Sequence, residues 1–221
     1  HCQFSLFKSK KFLPLFITQF LGAFYYNAFK NAFLIWFTYD MAERTGINAP
    51  MMITVAAGLF ILPFFLFSAT AGQIADKYEK SMLAQKIKQI EIILMLLCAI
   101  CFYFQTISGL LVILFLMGVQ STFFGPIKYS LLPEHLKAHE LISGNGLIDA
   151  GTFLAILLGT IFGDLVIRTT YGRPLLSFAI ILCAVLGWWS SYYIPKSAIA
   201  DSEIKINTNI ALETWKILGY A

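Results

Sequence analysis

The stretch FLPLFITQFLGAFYYNAFKNAFLIWFTY, residues 12–39, decides the fold of this chain. It is apolar for longer than the about 20 residues with which a helix crosses the hydrocarbon core of a bilayer. Four polar side chains nevertheless lie in its middle: Gln19, Asn27, Lys30 and Asn31. At about 100° per residue, Gln19, Tyr26 and Lys30 fall on one helical face, and the two asparagines lie at its edge. The pattern predicts a transmembrane helix whose polar face meets a bundle interior or a water-filled cavity.

Lys30 is the most informative residue of this polar face. A lysine near the centre of a bilayer costs about 2.5–3.5 kcal/mol on the insertion scale, so such a residue usually has a function. The alternative is that its ammonium group reaches the membrane surface, or pairs with a neighbour for structure alone. Because the polar residues share the middle of one span, we favour the functional interpretation.

The composition indicates a membrane protein with several spans. Of the 221 residues, 58% are hydrophobic and 13% are charged, and the mean hydropathy is +0.74. A soluble domain has about 25% charged residues. The net charge of +4 does not indicate a nucleic-acid partner, because the basic residues stand in short clusters between apolar runs. The chain contains no catalytic serine elbow, nucleotide-binding loop or zinc-protease motif, so we predict no enzyme, no catalytic residue and no cofactor.

Six transmembrane helices are predicted, at residues 12–39, 52–75, 82–105, 109–132, 141–167 and 174–194. The expected fold class is therefore an all-α membrane protein, with a six-helix bundle over residues 1–195. We expect residues 196–221 to be a cytoplasmic linker with a short amphipathic helix at residues 210–220. The chain starts without Met and stops inside a helical pattern, so we expect it to be a fragment of a longer protein.

The orientation follows from the basic residues of alternate loops. Twelve lysines are assigned to one side: Lys8, Lys10, Lys11, Lys77, Lys80, Lys86, Lys88, Lys128, Lys137, Lys196, Lys205 and Lys216. Only Arg44, Arg168 and Arg173 are assigned to the other side. The lysine-rich side is predicted to be cytoplasmic, which places both the N- and the C-terminus in the cytoplasm.

The fifth span carries a helix-packing pattern. Small residues recur in it every four positions, at Gly151, Ala155, Gly159 and Gly163. Such a ladder allows the backbone of another helix to approach closely. Asp149 lies just before the ladder, inside the apolar run, and is the nearest candidate for an acidic partner of Lys30.

Two further motifs suggest metal or redox chemistry, and we interpret both as structural. Cys98 and Cys101 form a C-x-x-C inside an apolar helix without a second pair, so ordinary packing is favoured. His135 and His139 are four residues apart, but nothing nearby completes a ligand set, so no metal site is predicted.

Five motifs resemble one family of membrane carriers. GQIADKYEK at residues 72–80 resembles the loop between the second and third helices of the major facilitator superfamily, although Glu79 stands where that pattern has Gly. QFLGAFYYNAFKNA (19–32), FFGPIKYSLLPEHL (123–136), GNGLIDAGTFLAILLGTI (144–161) and YIPK (193–196) resemble its bacterial lysophospholipid transporter branch. The resemblance covers essentially the whole chain, as the N-terminal six-helix half of a twelve-helix carrier built of two three-helix inverted repeats per half.

The resemblance implies a secondary transporter that moves lysophospholipids, such as lysophosphatidylethanolamine, across the bacterial inner membrane by alternating access. It implies as partners the membrane lipids, the missing six-helix half and, in some members, a fused or associated acyltransferase. The first, second, fourth and fifth helices are expected to line the cavity. One departure is notable, because Tyr26 stands where the family usually has an acid before Asn27. Either Asp149 or a carboxylate of the missing half then pairs with Lys30, or coupling or substrate charge preference is altered.

Three sets of residues are therefore expected to carry the function. The substrate-binding set is Gln19, Tyr26, Asn27, Lys30, Asn31, Lys128 and Asp149. The gating set, implied by the resemblance, is Gly72, Asp76, Lys77 and Lys80. Two other functions stay open: a proton-coupled drug or metabolite exporter of the same superfamily, and a membrane module of an acyltransferase fusion.

Overall fold

The computed structural model describes residues 3–206, and the regular secondary structure of this part of the chain is all helical, without a strand. A short 3-10 helix precedes α1, and a π-helical turn, Phe37–Met41, follows it. The bounds of the helices are Gln3–Lys8 (3-10), Leu13–Trp36 (α1), Ala42–Thr45 (α2), Ala49–Lys77 (α3), Lys80–Tyr103 (α4), Ile107–His135 (α5), Ala138–Ile167 (α6) and Gly172–Ser191 (α7). The amphipathic helix predicted at residues 210–220 lies outside the described residues.

Each of the six predicted spans coincides with one long helix, with ends that differ by at most three residues. By length and composition, four of the described helices could cross a membrane, namely α3, α5, α6 and α7. The two other long helices, α1 and α4, carry polar and charged residues in their middle, and such residues lower the mean hydropathy of a helix. These residues include Asn27 and Lys30 in α1 and Lys88 and Glu91 in α4.

Helix α1 lies at the centre of the bundle. It packs against α6 and α7, while α3 packs against α5, and α4 packs against α5 and α7. Aromatic side chains fill the contact between α1 and the end of α4. Phe29 and Trp36 of α1 both contact Phe102, with ring centroids 6.0 Å and 5.8 Å apart. These buried rings anchor α1, because large aromatic side chains contribute most of the buried area in such a core.

The small residues of α6 face α1. All four members of the predicted ladder are buried. A Cβ atom added at Gly159 would overlap the carbonyl oxygen of Phe24, and one added at Gly163 would overlap that of Ala28. The backbones of α1 and α6 therefore approach too closely for any larger side chain at these two positions.

After α7, residues 195–201 run back across the ends of α3, α4 and α5, and we call them the post-α7 strap. The backbone N–H and the hydroxyl of Ser197 donate to Glu79 Oε1 over 2.8 Å and 3.0 Å. The backbone N–H of Asp201 donates to the carbonyl oxygen of Asp76 over 3.0 Å. The strap thus joins the end of the bundle to the loop between α3 and α4.

Candidate substrate cavity

A cavity of about 510 Å³ lies inside the bundle, bounded by α1, α3, α4, α5 and α6. Helix α1 contributes more of its lining residues than any other helix, from Gln19 to Lys30. Phe60, Phe64 and Phe124 contribute aromatic surface. The cavity therefore combines apolar walls with a small number of polar groups, which is typical of sites for amphipathic small molecules.

The polar face of α1 points into this cavity. Gln19 Nε2 donates to Thr152 Oγ1 of α6 over 3.1 Å. The ring of Tyr26 stacks on Phe60 with centroids 4.3 Å apart, and its buried hydroxyl has no hydrogen-bond partner among the described residues. Lys30 Nζ lies 5.3 Å from the centroid of the same Tyr26 ring. Lys30 and the hydroxyl of Tyr26 are therefore groups of this wall that a polar ligand could engage.

Lys128 of α5 supplies a second cation. Its Nζ lies 4.3 Å from the ring centroid of Tyr129, and both residues line the cavity. The Tyr129 hydroxyl donates to Asp149 Oδ1 over 3.1 Å. Asp149 thus supports Tyr129 from beside the cavity instead of lining it.

Two expectations from the sequence need correction. Asp149 contacts Tyr129, and Lys30 forms no ion pair within residues 3–206, so the proposed Lys30–Asp149 pair is absent there. Asn31 does not line the cavity either. Its Nδ2 donates to the carbonyl oxygen of Thr160 over 3.0 Å, so it links α1 to α6. Asn27 does line the cavity, but its amide donates to the carbonyl oxygen of Ala23 within its own helix.

Helix α4 contains a buried ion pair that the sequence pattern did not predict. Lys88 Nζ lies 2.8 Å and 3.0 Å from the two carboxylate oxygens of Glu91, and both side chains are 2% exposed. Gln120 of α5 also donates to Glu91. On the other side, Lys88 Nζ lies 4.6 Å from the ring centroid of Phe124. A Cβ added at Gly22 would lie 2.9 Å from this Nζ, so the glycine of α1 makes room for the lysine.

The placement of Lys88 corrects one expectation about α4. The first, second, fourth and fifth spans are expected to line the cavity, and α4, the third span, is not among them. Instead Lys88 and Glu91 of α4 face inward and line the cavity, while apolar residues such as Ile93 and Leu97 are exposed. The signal that could have found them is the shared face of Ala84, Lys88, Glu91 and Met95, which recur at helical spacing.

The charges that line the cavity are mostly positive. Among its described lining residues are three lysines, namely Lys30, Lys88 and Lys128, and one carboxylate, Glu91. Because Glu91 is already paired with Lys88, the other two ammonium groups remain for a ligand. Such an arrangement is complementary to an anionic group.

The residues of the gating set lie at one end of the bundle, away from this cavity. Gly72, Asp76 and Lys77 belong to the last two turns of α3, and Lys80 begins α4. Lys80 Nζ, which is buried, lies 2.7 Å from Glu134 Oε1 of α5 and 3.2 Å from the carbonyl oxygen of Ala198 in the strap. Lys77 Nζ instead lies 6.0 Å from the Tyr78 ring centroid.

Glu79, which stands where the carrier loop that this segment resembles has Gly, acts as the N-cap of α4. Its carboxylate accepts hydrogen bonds from the backbone N–H groups of Ser81 and Met82 and from Ser197 of the strap. Partial burial raises the pKa of this carboxyl, but the hydrogen bonds from Ser197, Ser81 and Met82 outweigh it and lower the pKa to about 2. The acid at this position therefore has a structural consequence, because it holds the strap against the start of α4.

The histidine and cysteine motifs of the sequence include residues that pack in the core or bind the strap. His135 Nε2 lies 3.1 Å from the carbonyl oxygen of Pro195 in the strap. Cys98 is buried in the core, and both Cys98 and Cys101 are free thiols. Residues 3–206 contain no group of three or more His, Cys, Asp or Glu side chains that could hold a metal ion.

The all-helical fold, its long apolar helices and the relatives of the chain together define a multi-pass membrane protein. No family model matches the chain. It is 30% identical over 199 residues to the lysophospholipid transporter LplT of Escherichia fergusonii, a match that covers 87% of this chain and 45% of that protein. The protein of the same name from Citrobacter koseri is 30% identical over 195 residues, with the same two coverages. That of Serratia proteamaculans is 27% identical over 196 residues, 89% of this chain and 46% of the relative. The chain thus spans somewhat less than half the length of the curated relatives that it matches.

Proposed function

We propose that this chain belongs to a secondary transporter that moves lysophospholipids across the bacterial inner membrane. The observation that carries the proposal is the cavity, in which Lys30 and Lys128 stand among aromatic walls, in a chain similar to proteins named lysophospholipid transporters. A lysophospholipid has an anionic phosphate and a single acyl chain. The cavity offers a chemical counterpart to each of these parts.

The architecture that we propose is the N-terminal half of a major facilitator superfamily carrier. The six long helices would be six membrane spans in two inverted three-helix repeats, with both ends of the chain in the cytoplasm. A second six-helix half would complete the cavity, and alternating access would follow from rocking of the two halves around the central site. Two observations support this architecture: the described residues contain six long helices, and the chain aligns with about 45% of the length of its relatives.

In the binding step, Lys30 and Lys128 would donate charge-assisted hydrogen bonds to the phosphate of the lysolipid. The Tyr26 hydroxyl, the Gln19 amide and Asn27 would contact the polar headgroup beside the phosphate. Phe60, Phe64 and Phe124 would hold the acyl chain. Asn31 and Asp149 would act indirectly, because they fix α6 and Tyr129.

Lys88 and Glu91 add a group that the phosphate could reach. While Lys88 is paired with Glu91, its charge is neutralised, so the pair adds no net charge to the empty cavity. A phosphate that approaches Lys88 would compete with Glu91 for the same ammonium group. We therefore add Lys88 to the proposed substrate-binding residues, as a cation that would exchange Glu91 for the phosphate. Gln120 would hold Glu91 in place.

The gate would lie at the end of the bundle that carries the loop between α3 and α4. Gly72, Asp76, Lys77 and Lys80 would act there as a cytoplasmic latch against the second half. The backbone of Asp76 and the ammonium group of Lys80 already bind the post-α7 strap, which leads toward that half. An Asp76→Asn variant that transports at the normal rate would argue against the latch.

The test is uptake of labelled lysophosphatidylethanolamine by vesicles that contain the full-length protein. We expect Lys30→Ala to lower the initial rate about tenfold or more, since a hydrogen bond to a charged group is worth roughly 1.5–3 kcal/mol. Lys30→Arg should retain more of the rate, and Lys205→Ala, an exposed lysine after the strap, is the matched control. Normal uptake by Lys30→Ala would remove this residue from the site, and no uptake by the wild type would refute the substrate.

A second candidate is a proton-coupled exporter of drugs or metabolites with the same fold. The observation that favours it is Glu91, a buried carboxylate in the wall of the cavity. In that case, Glu91→Gln would abolish coupling to a pH gradient, while lysolipid would not be a substrate. Measuring uptake with and without a pH gradient separates the two candidates. The fusion-module alternative predicts no transport under either condition.

A further inference from the structure

A second cavity lies on another side of α1, where the 3-10 helix Gln3–Lys8 and the start of α1 meet the end of α7. Its volume is about 670 Å³, and it shares no lining residue with the central cavity. The post-α7 strap does not line it either. Nothing in the proposed transport cycle uses this second cavity, which we call the groove, so a ligand bound in it would be independent of the transported molecule.

The floor of the groove is apolar and open to the outside of the bundle. Leu13, Ile17 and Leu186 form part of it, and Ile17 and Leu186 are 36% and 39% exposed. At its rim, Trp189 and Tyr193 are 59% and 63% exposed. Tryptophan and tyrosine with this exposure at the end of an apolar helix are typical of the level of the lipid headgroups.

The same rim carries a concentration of positive charge. Lys8 and Lys10 line the groove, both are exposed, and neither forms an ion pair with any part of the chain between residues 3 and 206. No carboxylate is among the described residues of the lining, while the hydroxyl of Ser9 lies between the two lysines in sequence. An apolar slot with unpaired cations at headgroup level has the chemistry of a site for an anionic lipid.

We propose that this groove binds an anionic phospholipid of the surrounding membrane. The lipid phosphate would accept charge-assisted hydrogen bonds from Lys8 and Lys10, and one acyl chain would lie along Leu13, Ile17 and Leu186. Charge complementarity selects this occupant, because a zwitterionic lipid would bring its own cation next to the two lysines. This bound lipid is separate from the transported molecule and does not depend on the proposed function.

The test uses the full-length protein in detergent and native mass spectrometry after addition of lipid. The two probes are dioleoylphosphatidylglycerol, which is anionic, and dioleoylphosphatidylcholine, which is zwitterionic. We expect the wild type to retain the anionic lipid preferentially and Lys8→Gln/Lys10→Gln to reduce its retention about tenfold. Lys8→Arg/Lys10→Arg should retain it. The control Lys137→Gln/Lys205→Gln removes the same charge from exposed positions outside the groove and should bind like the wild type.

Two further experiments distinguish binding of a whole lipid from binding of its headgroup alone. Glycerol phosphate, which lacks acyl chains, should not displace the bound lipid, because the apolar floor would contribute much of the affinity. Ile17→Trp should fill the floor and weaken lipid retention while leaving the lysines intact. Equal retention of the two lipids, an unchanged Lys8→Gln/Lys10→Gln variant or efficient displacement by glycerol phosphate would overturn the proposal. So would the absence of any retained lipid, which is the result expected if another part of the full-length protein covers the groove.

Discussion

At the scale of single residues, the most consequential feature is that charged side chains are buried inside an apolar bundle. Lys88 and Glu91 are both almost fully buried in the wall of the cavity, and their partners include one another, Gln120 and the ring of Phe124. A buried pair of this kind is weak evidence for stability, since desolvation offsets most of the attraction. Removal of one partner, however, leaves the other charge buried without compensation.

The buried pair predicts that substitutions of its two residues have non-additive effects on the free energy of unfolding. Lys88→Met and Glu91→Gln should each destabilise the full-length protein, by about 3–5 kcal/mol if the remaining charge stays buried. The double variant should be more stable than the sum of the two changes suggests, because it buries no unpaired charge. Thermal unfolding in detergent measures all three variants. Strict additivity would show that the two side chains do not interact.

At the scale of elements, the packing of α1 on α6 depends on glycine. The carbonyl oxygens of Phe24 and Ala28 occupy the space where side chains at Gly159 and Gly163 would stand. The same interface contains the hydrogen bonds of Gln19 with Thr152 and of Asn31 with Thr160. A small shift between these two helices would therefore affect the wall of the cavity as well as the stability of the bundle.

Gly159→Ala should consequently destabilise the protein, although alanine is the better helix former. Overpacking in a tight contact costs about 1–3 kcal/mol, which exceeds the roughly 1 kcal/mol gained from helix propensity. Gly146→Ala is the matched control, because a Cβ atom there meets nothing within 4 Å and the position is in the same helix. We expect the control to keep or raise the thermal midpoint. A Gly159→Ala protein as stable as that control would contradict the close approach.

The post-α7 strap leads to a prediction about pH. The carboxyl of Glu79 has its pKa lowered to about 2 from an ordinary value of 4.5, so its hydrogen bonds stabilise the folded chain fully above pH 4.5. This contribution should be lost as the pH falls from 4.5 toward 2. Glu79→Gln lacks the charge at every pH, and the difference in thermal midpoint between it and the wild type should therefore shrink over this range. A difference that stays constant between pH 7 and pH 3 would argue against the role of this carboxylate.

At the scale of the whole molecule, the orientation proposed from the basic residues does not depend on Lys88. With that lysine inside the bundle, the excess of basic residues on the proposed cytoplasmic side remains large. Ile47, between α2 and α3, and Lys137, between α5 and α6, lie on opposite sides in this arrangement. Both are exposed in the structure.

Cysteine labelling tests this arrangement in the full-length protein. In a background without the four native cysteines, Ile47→Cys should react with a membrane-impermeant maleimide applied to the periplasmic side. Lys137→Cys should react only after the membrane is permeabilised. A reversed pattern would invert the orientation, and labelling of both from the same side would refute an odd number of spans between them.

The amino-acid sequence by itself determined the helical class, the positions of the long helices and the polar face of α1. These properties are local, because they depend on runs of apolar residues and on helical periodicity within one segment. The small-residue ladder of α6 was also visible as a repeat of four. Tyr26 and Lys30 could be placed on one face from their spacing alone, and the structure has both in the wall of the cavity.

The tertiary structure alone decided which way α4 faces, and therefore which charges enter the cavity. In a membrane protein the lipid is as apolar as the protein core, so an apolar face does not reveal which side of a helix is inside. Lys88 points inward because Gly22 leaves space for its ammonium group and Glu91 pairs with it. Gln120 in turn donates a hydrogen bond to Glu91. The separation of Lys30 from Asp149 has the same origin, since α1 and α6 pack with Gly151 against Phe16 and Gly163 against Ala28, which places Asp149 near the start of α1 and far from Lys30. Contacts between distant segments decided these positions, and no local pattern encodes them.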